Sequence, residues 1–174
     1  MKKNNIILAV FLSLFLFSCE FYKPKYRDAY KKVDYDGVID KTFFLIGDAG
    51  YASPDQNTKG ILLLESYLQE NNPADGYMLF LGDNIYPAGM PSKKETSRKQ
   101  SEHRINNQIN LAKTFKGESF FIPGNHDWYI DGVKGVQRQE KYIEKALAGR
   151  DAFRPSGGCA IESVKVNEEI QLLL

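Results

Sequence analysis

The sequence predicts an α/β fold whose parallel strands end on a functional rim. Short apolar runs alternate along the chain with segments of helical spacing. Three of these runs stop abruptly on a glycine and a polar side chain, at Gly47-Asp48, Gly82-Asp83 and Gly124-Asn125. Apolar residues three and four apart recur in the intervals. In open α/β folds, ligands sit beyond the carboxyl ends of the strands, so these endings are also where chemistry is expected.

Each element follows from its residues. Phe43 to Ile46 is an apolar run closed by Gly-Asp-Ala-Gly. In TKGILLLESYLQEN, Ile61, Leu64 and Leu68 share one helical face, with Leu63 and Tyr67 beside it. Asn71-Asn72-Pro73 ends that helix. GYMLFLGDN supplies the second strand. A long polar helix is expected over Lys94 to Phe115, with Ile105, Ile109 and Ala112 inward. ESFFIPGNHDW supplies the third strand, and GVQRQEKYIEKALAG a third helix capped by Gly149. GCAIESVKV and EIQLLL read as two strands around a turn at Asn167-Glu168.

Composition excludes several classes. The chain has 174 residues, 43% hydrophobic and 26% charged, enough for one domain with a real core. Its formal net charge of +1 gives no sign of a nucleic-acid partner, which calls for a basic patch or stripe. Lys93, Lys94, Arg98 and Lys99 form a small basic run broken by Glu95 and Glu102, read here as a solvated helix face. Two cysteines, Cys19 and Cys159, do not make a disulfide framework. Cys159 reads as a small buried residue. Of the two histidines, His103 has no motif around it and is assigned no role.

The first residues read as an address. A basic start precedes a continuous apolar stretch from Ile6 to Phe17, the length of a secretory h-region rather than of a membrane span. It ends in Leu16-Phe17-Ser18-Cys19, which resembles the lipobox of bacterial lipoproteins. That resemblance implies acylation of Cys19 and an exported, membrane-anchored protein at the periplasmic face or cell surface. An ordinary cleaved signal and an uncleaved anchor are the alternatives. The expected organisation is a signal peptide over residues 1–18, a polar tether over 19–41 and a domain over 42–174.

The strand endings carry Asp48, Asp83, Tyr86, Asn125 and His126, a set rich in hard oxygen donors. Two metal ions sharing a carboxylate can clamp a phosphoryl group, and metal-bound water is acidic enough to serve as hydroxide near neutral pH. A phenolate suits a hard trivalent ion such as Fe(III). Asp127, beside His126, is expected to orient that ring.

GDAG, GDNIY and GNHD together resemble the first three motifs of the calcineurin-like metallophosphoesterases. Tyrosine three residues after the aspartate resembles the purple acid phosphatases, and GDNIYPAGM their tartrate-resistant type. The resemblance is strong from Thr42 to Trp128. It implies a layered β-sandwich flanked by helices, incomplete in this chain. It implies two metal ions, Fe with Zn, Mn or Fe. Asp48 and Tyr86 would bind the first, Asn125 the second, and Asp83 would bridge them. His126 would contact the substrate phosphate and protonate the leaving alkoxide. Trp128 and Tyr129 border this set, with core packing the expected role for both.

The family completes its site with three histidines from two later motifs, Val-x-x-His and Gly-His-x-His, and this sequence has no histidine after His126. Its last residues, EIQLLL, read as a strand in progress. We therefore expect an N-terminal fragment or a truncated product, with the enzyme assignment belonging to the complete protein. The leading expectation is a phosphomonoesterase acting on a phosphorylated small molecule or phosphoprotein. A phosphodiesterase or nucleotide hydrolase, and a non-catalytic surface lipoprotein on a degenerate phosphoesterase scaffold, are the alternatives.

Overall fold

The structure is a computed structural model that describes residues 37–53, 56–158 and 160–174. The expected signal peptide, Cys19, most of the tether and Cys159 lie outside the described residues.

Strands β1 (Phe43–Ile46), β2 (Tyr77–Phe80) and β3 (Glu118–Phe121) form a parallel sheet in that order. Phe43 pairs with Tyr77 and Ile46 with Phe80, and Tyr77 pairs with Glu118 and Phe80 with Phe121. The strands therefore end level with one another. Helix α1 (Lys59–Glu70) joins β1 to β2, and α2 (Arg98–Thr114) joins β2 to β3. Both helices pack on one face of the sheet, through Ile61 and Leu68 of α1 and Ile105 and Ile109 of α2.

The residues of β2 show why the sheet is a middle layer. All four are buried, and they alternate between two cores. Met78 and Phe80 pack with Ile61, Leu68, Ile105, Ile109 and Phe121 on the helix face. Tyr77 and Leu79 pack with Phe120, Val164 and Leu172 on the opposite face. Alternation of this kind is the period of a strand covered on both sides. Phe80 and Phe121 stack with centroids 4.4 Å apart at the centre of the helix-side core. The opposite cover is an antiparallel hairpin of β4 (Ser163–Lys165) and β5 (Gln171–Leu173). Its turn is set by the Asn167 side chain, whose Oδ1 accepts from the Glu169 and Ile170 amides at 2.9 and 2.7 Å. Among the described residues the second layer is this hairpin rather than a full second sheet.

Two helix boundaries differ from the sequence reading. Helix α2 begins at Arg98, not Lys94. Local bonds from the Glu95 amide to the Ser92 carbonyl and from the Arg98 amide to the Glu95 carbonyl hold the preceding residues in turns. Helix α3 (Val133–Ala146) starts two residues early and ends before Gly149. Ala148, just past the cap, takes the left-handed backbone with φ of 59°, and the Gly149 amide closes on the Glu144 carbonyl at 2.8 Å, which ends the helix. Ile105, Ile109 and Ala112 are inward as expected. The basic run is not uniformly solvated, however, because Arg98 is only 7% exposed. Among the described residues, no helix is long and apolar enough to cross a membrane.

Candidate functional site

Three loops leave the level ends of β1, β2 and β3, and their backbones are laced together. The Asp48 amide donates to the Gly82 carbonyl, the Gly50 amide to the Asp83 carbonyl, and the Tyr86 amide to the Gly50 carbonyl, at 3.3, 3.0 and 3.2 Å. A Cβ at Gly50 would lie 2.3 Å from the Asn84 carbonyl carbon, and one at Gly124 would lie 2.3 Å from the Asp83 amide nitrogen. Glycine is required at both positions because the loops touch there. Asp48 and Asp83 themselves adopt left-handed backbone, with φ of 55° and 51°. Such a conformation costs a non-glycine residue about 1 kcal/mol or more and is commonest where the side chain has a task.

The side chains then converge. The Tyr86 hydroxyl donates to Asp48 Oδ1 at 2.5 Å and approaches Asp83 Oδ2 at 2.8 Å. Its one proton is held between two carboxylates. The hydrogen bond to Asp48, reinforced by burial and by Asp83, pushes the phenol well above its ordinary pKa. The other Asp83 oxygen accepts the His126 amide at 3.0 Å. The His126 ring lies 4.2 Å from that of Tyr86 and 4.6 Å from that of Tyr129. Its Nδ1 is 2.6 Å from the Pro87 carbonyl, which can only accept. Nδ1 therefore carries hydrogen, and Nε2 is the nitrogen left to exchange a proton. Asn125 donates its Nδ2 to the Tyr129 hydroxyl at 2.6 Å, which leaves the amide oxygen for another partner.

The donor set suits a hard cation. Three oxygens, from Asp48, Asp83 and Tyr86, meet at the shared phenol proton, where a hard cation could take the proton's place. Among the described residues the Asn125 oxygen accepts no hydrogen bond, as a ligand to a second ion requires. No cluster of three His, Cys, Asp or Glu side chains suited to a metal forms among the described residues. The fit thus rests on a phenol and an amide in addition to two carboxylates.

Asp127 corrects the sequence reading. Its carboxylate does not turn to His126. One oxygen accepts the Ile85 amide at 3.0 Å, and the other accepts the Asn84 and Gly124 amides at 3.1 and 2.8 Å. Asn125–Trp128 is a 3₁₀ turn, in which successive side chains diverge by about a third of a turn, so neighbours in sequence face different ways. Asp127 is fully buried and ties the β2 loop to the β3 loop. Burial pushes its carboxyl up to about 6, against the pull of those backbone donors.

Two supporting residues went unseen in the sequence. Gln108 of α2 donates to the Asn84 carbonyl at 2.7 Å. Arg104, one turn earlier, donates to the carbonyls of Ala52 and Tyr86. Their signal was a polar pair at i,i+4 bordering the apolar stripe of Ile105 and Ile109. Tyr129 is 60% exposed and stands at the site, whereas Trp128 packs against the core. His103 lies apart, its Nε2 on the Ser53 carbonyl at 2.8 Å. No family model matches the chain, and no curated protein matches it.

Proposed function

We propose that these loops belong to a dinuclear-metal phosphoesterase site, on a metallophosphoesterase-type sandwich that includes the β4–β5 hairpin. The observation that carries the proposal is the Tyr86 hydroxyl held at 2.5 and 2.8 Å by Asp48 and Asp83. A surface turn has no use for two left-handed aspartates sharing one phenol. Asp48, Asp83 and Tyr86 would hold the first ion, and Asp83 and Asn125 the second. When bound, such ions supply an acidified water and polarise the phosphoryl oxygens.

The chain's own groups do the rest. Tyr86 would give up its proton to solvent were a cation to take that place. Pro87 fixes the His126 tautomer through Nδ1, and His126 delivers a proton from Nε2 to the leaving alkoxide as the P–O bond breaks. Asp127 keeps the two loops in register. The substrate class is a phosphomonoester, from a small molecule or a phosphoprotein. Residues 1–19 extend the proposal to an exported lipoprotein anchored through Cys19; palmitate labelling abolished in Cys19→Ala supports the anchor, and labelling that persists removes it.

A non-catalytic role on the same scaffold is the second reading, favoured by Tyr86, which satisfies Asp48 and Asp83 directly without a cation. Titration of the complete protein with Fe(III) separates the two. Saturable binding with a visible phenolate charge-transfer band, lost in Tyr86→Phe and kept in His126→Ala, supports the metal site. Absence of saturable binding favours the non-catalytic role.

A further inference from the structure

A polar groove lies on the helical face, built from none of the residues of the strand-end site. A groove of about 550 Å³ runs between α2 and α3 and is lined by Lys93, Arg98, Arg138, Lys141 and Lys145, with Glu102 as its one acid. The basic run noted in the sequence supplies one wall, and α3 supplies the other. Along α3, Lys134, Arg138, Lys141 and Lys145 recur at intervals of four, three and four, which is one helical face. The acids of that helix are turned elsewhere: Glu140 accepts the Gly157 amide at 3.0 Å, and Glu144 takes a backbone bond from Phe153.

The two arginines are fixed in place. Arg98 donates to the Pro91 carbonyl and to Glu102, both at 2.7 Å, and its guanidinium lies 5.4 Å from the centre of the Tyr142 ring. Arg138 donates to the Met90 carbonyl at 3.0 Å and to Asp131 at 2.6 Å. Glu102 and Asp131 thus offset the arginines. Lys93, Lys141 and Lys145 have no acidic partner among the described residues. The first turn of α2, at the same groove, contains no acid and no side-chain cap, so its amide dipoles add positive potential. Like charges one turn apart disfavour a helix by tenths of a kcal/mol, a cost that a bound anion reverses. The groove is concave, which suits a compact ligand better than the plane of a membrane.

We propose that this groove binds a small soluble polyanion carrying two or more phosphate groups, as in condensed or organic polyphosphates. The lysines supply charge, and the anchored guanidiniums supply directed N–H donors. The reading is independent of the metal site and stands or falls without it.

The test is calorimetric titration of the full chain, stripped of metal by a chelator, with inorganic tripolyphosphate. Lys141→Glu/Lys145→Glu is compared with Lys59→Glu/Lys113→Glu, which alters net charge equally at exposed positions outside the groove. Circular dichroism confirms folding of both. Saturable binding that weakens at least about tenfold in the groove pair and less than about threefold in the control pair supports the site. Equal losses in the two pairs reduce the effect to net charge and overturn it. Absence of saturable binding to the natural chain overturns it as well. So does sedimentation with anionic phosphatidylglycerol vesicles that depends on Lys141 and Lys145 when tripolyphosphate does not bind, since the ligand is then a membrane.

Discussion

Tyr86 and Asp127 hold the loop after β2 by opposite means. Tyr86 donates one proton toward two carboxylates, and Asp127 is one carboxylate accepting from three backbone amides. The bond to Asp48 is the largest cause of the raised Tyr86 pKa. In the metal-free chain, ultraviolet titration should therefore find one tyrosine ionising above the rest, and Asp48→Asn should return it toward them; a tyrosine unmoved by that change would break the geometry described. For Asp127 the folded carboxyl sits near about 6 and the unfolded one near 3.8. Folding therefore favours its protonated form. The stability this gives is complete below about pH 4 and is lost as pH rises through about 6, by on the order of 2–3 kcal/mol. Asp127→Asn removes that dependence and sets an amide group against backbone N–H donors, costing about 1–3 kcal/mol. Denaturant unfolding of both chains at several pH values should show the Asn variant's deficit largest at acid pH and shrinking toward neutrality.

At the scale of elements, α2 is the strut behind the site. Asn84 is held on every polar side but one: its amide by Asp127, its Nδ2 by the Ile122 carbonyl at 2.7 Å, and its carbonyl by Gln108. Gln108→Ala leaves that carbonyl buried and unpaired, so it should cost about 2 kcal/mol and speed hydrogen exchange at Ile85 and Tyr86 more than within β2. Uniform exchange across both segments would mean that α2 supports the whole sheet and not this loop. The strands and the apolar faces of the helices were legible in the sequence, because period two and period 3.6 are local signals. Gln108 was not, because its partner lies 24 residues away and a buried polar side chain leaves no periodic trace. The start of α2 was misread because Lys94 to Ser97 contains no apolar residue to distinguish turn from helix. Asp127 was misassigned because adjacency in sequence was taken for adjacency in space. The convergence of Asp48, Asp83, Tyr86 and His126 was readable, since each sits at a fixed offset from the end of a strand.

For the molecule as a whole, the sheet is covered unevenly. Leu79 of β2 is buried beneath the hairpin, but its β1 neighbour Leu45 is 64% exposed. Beyond it, Leu63 and Tyr67 of α1 are 74% and 49% exposed. Together with Phe44, Ile46 and Leu64 they border an apolar groove of about 600 Å³ along β1. Among the described residues, β1 pairs only with β2, so its outer edge offers unpaired backbone donors and acceptors beside apolar side chains. An edge with both features is a template for strand addition, and natural proteins commonly guard such edges with lysine. The natural chain should therefore associate as concentration rises, with sedimentation velocity reporting a growing mean mass. Leu45→Lys should keep it monomeric while shifting unfolding free energy by no more than about 0.5 kcal/mol, because the side chain it replaces already faces solvent. If the natural chain remains a monomer at every concentration, the edge is protected in solution and the exposure of Leu45 carries no consequence. If the lysine variant associates as readily as the natural chain, the contact lies elsewhere, and the exposed side chains of α1 become the surface to alter.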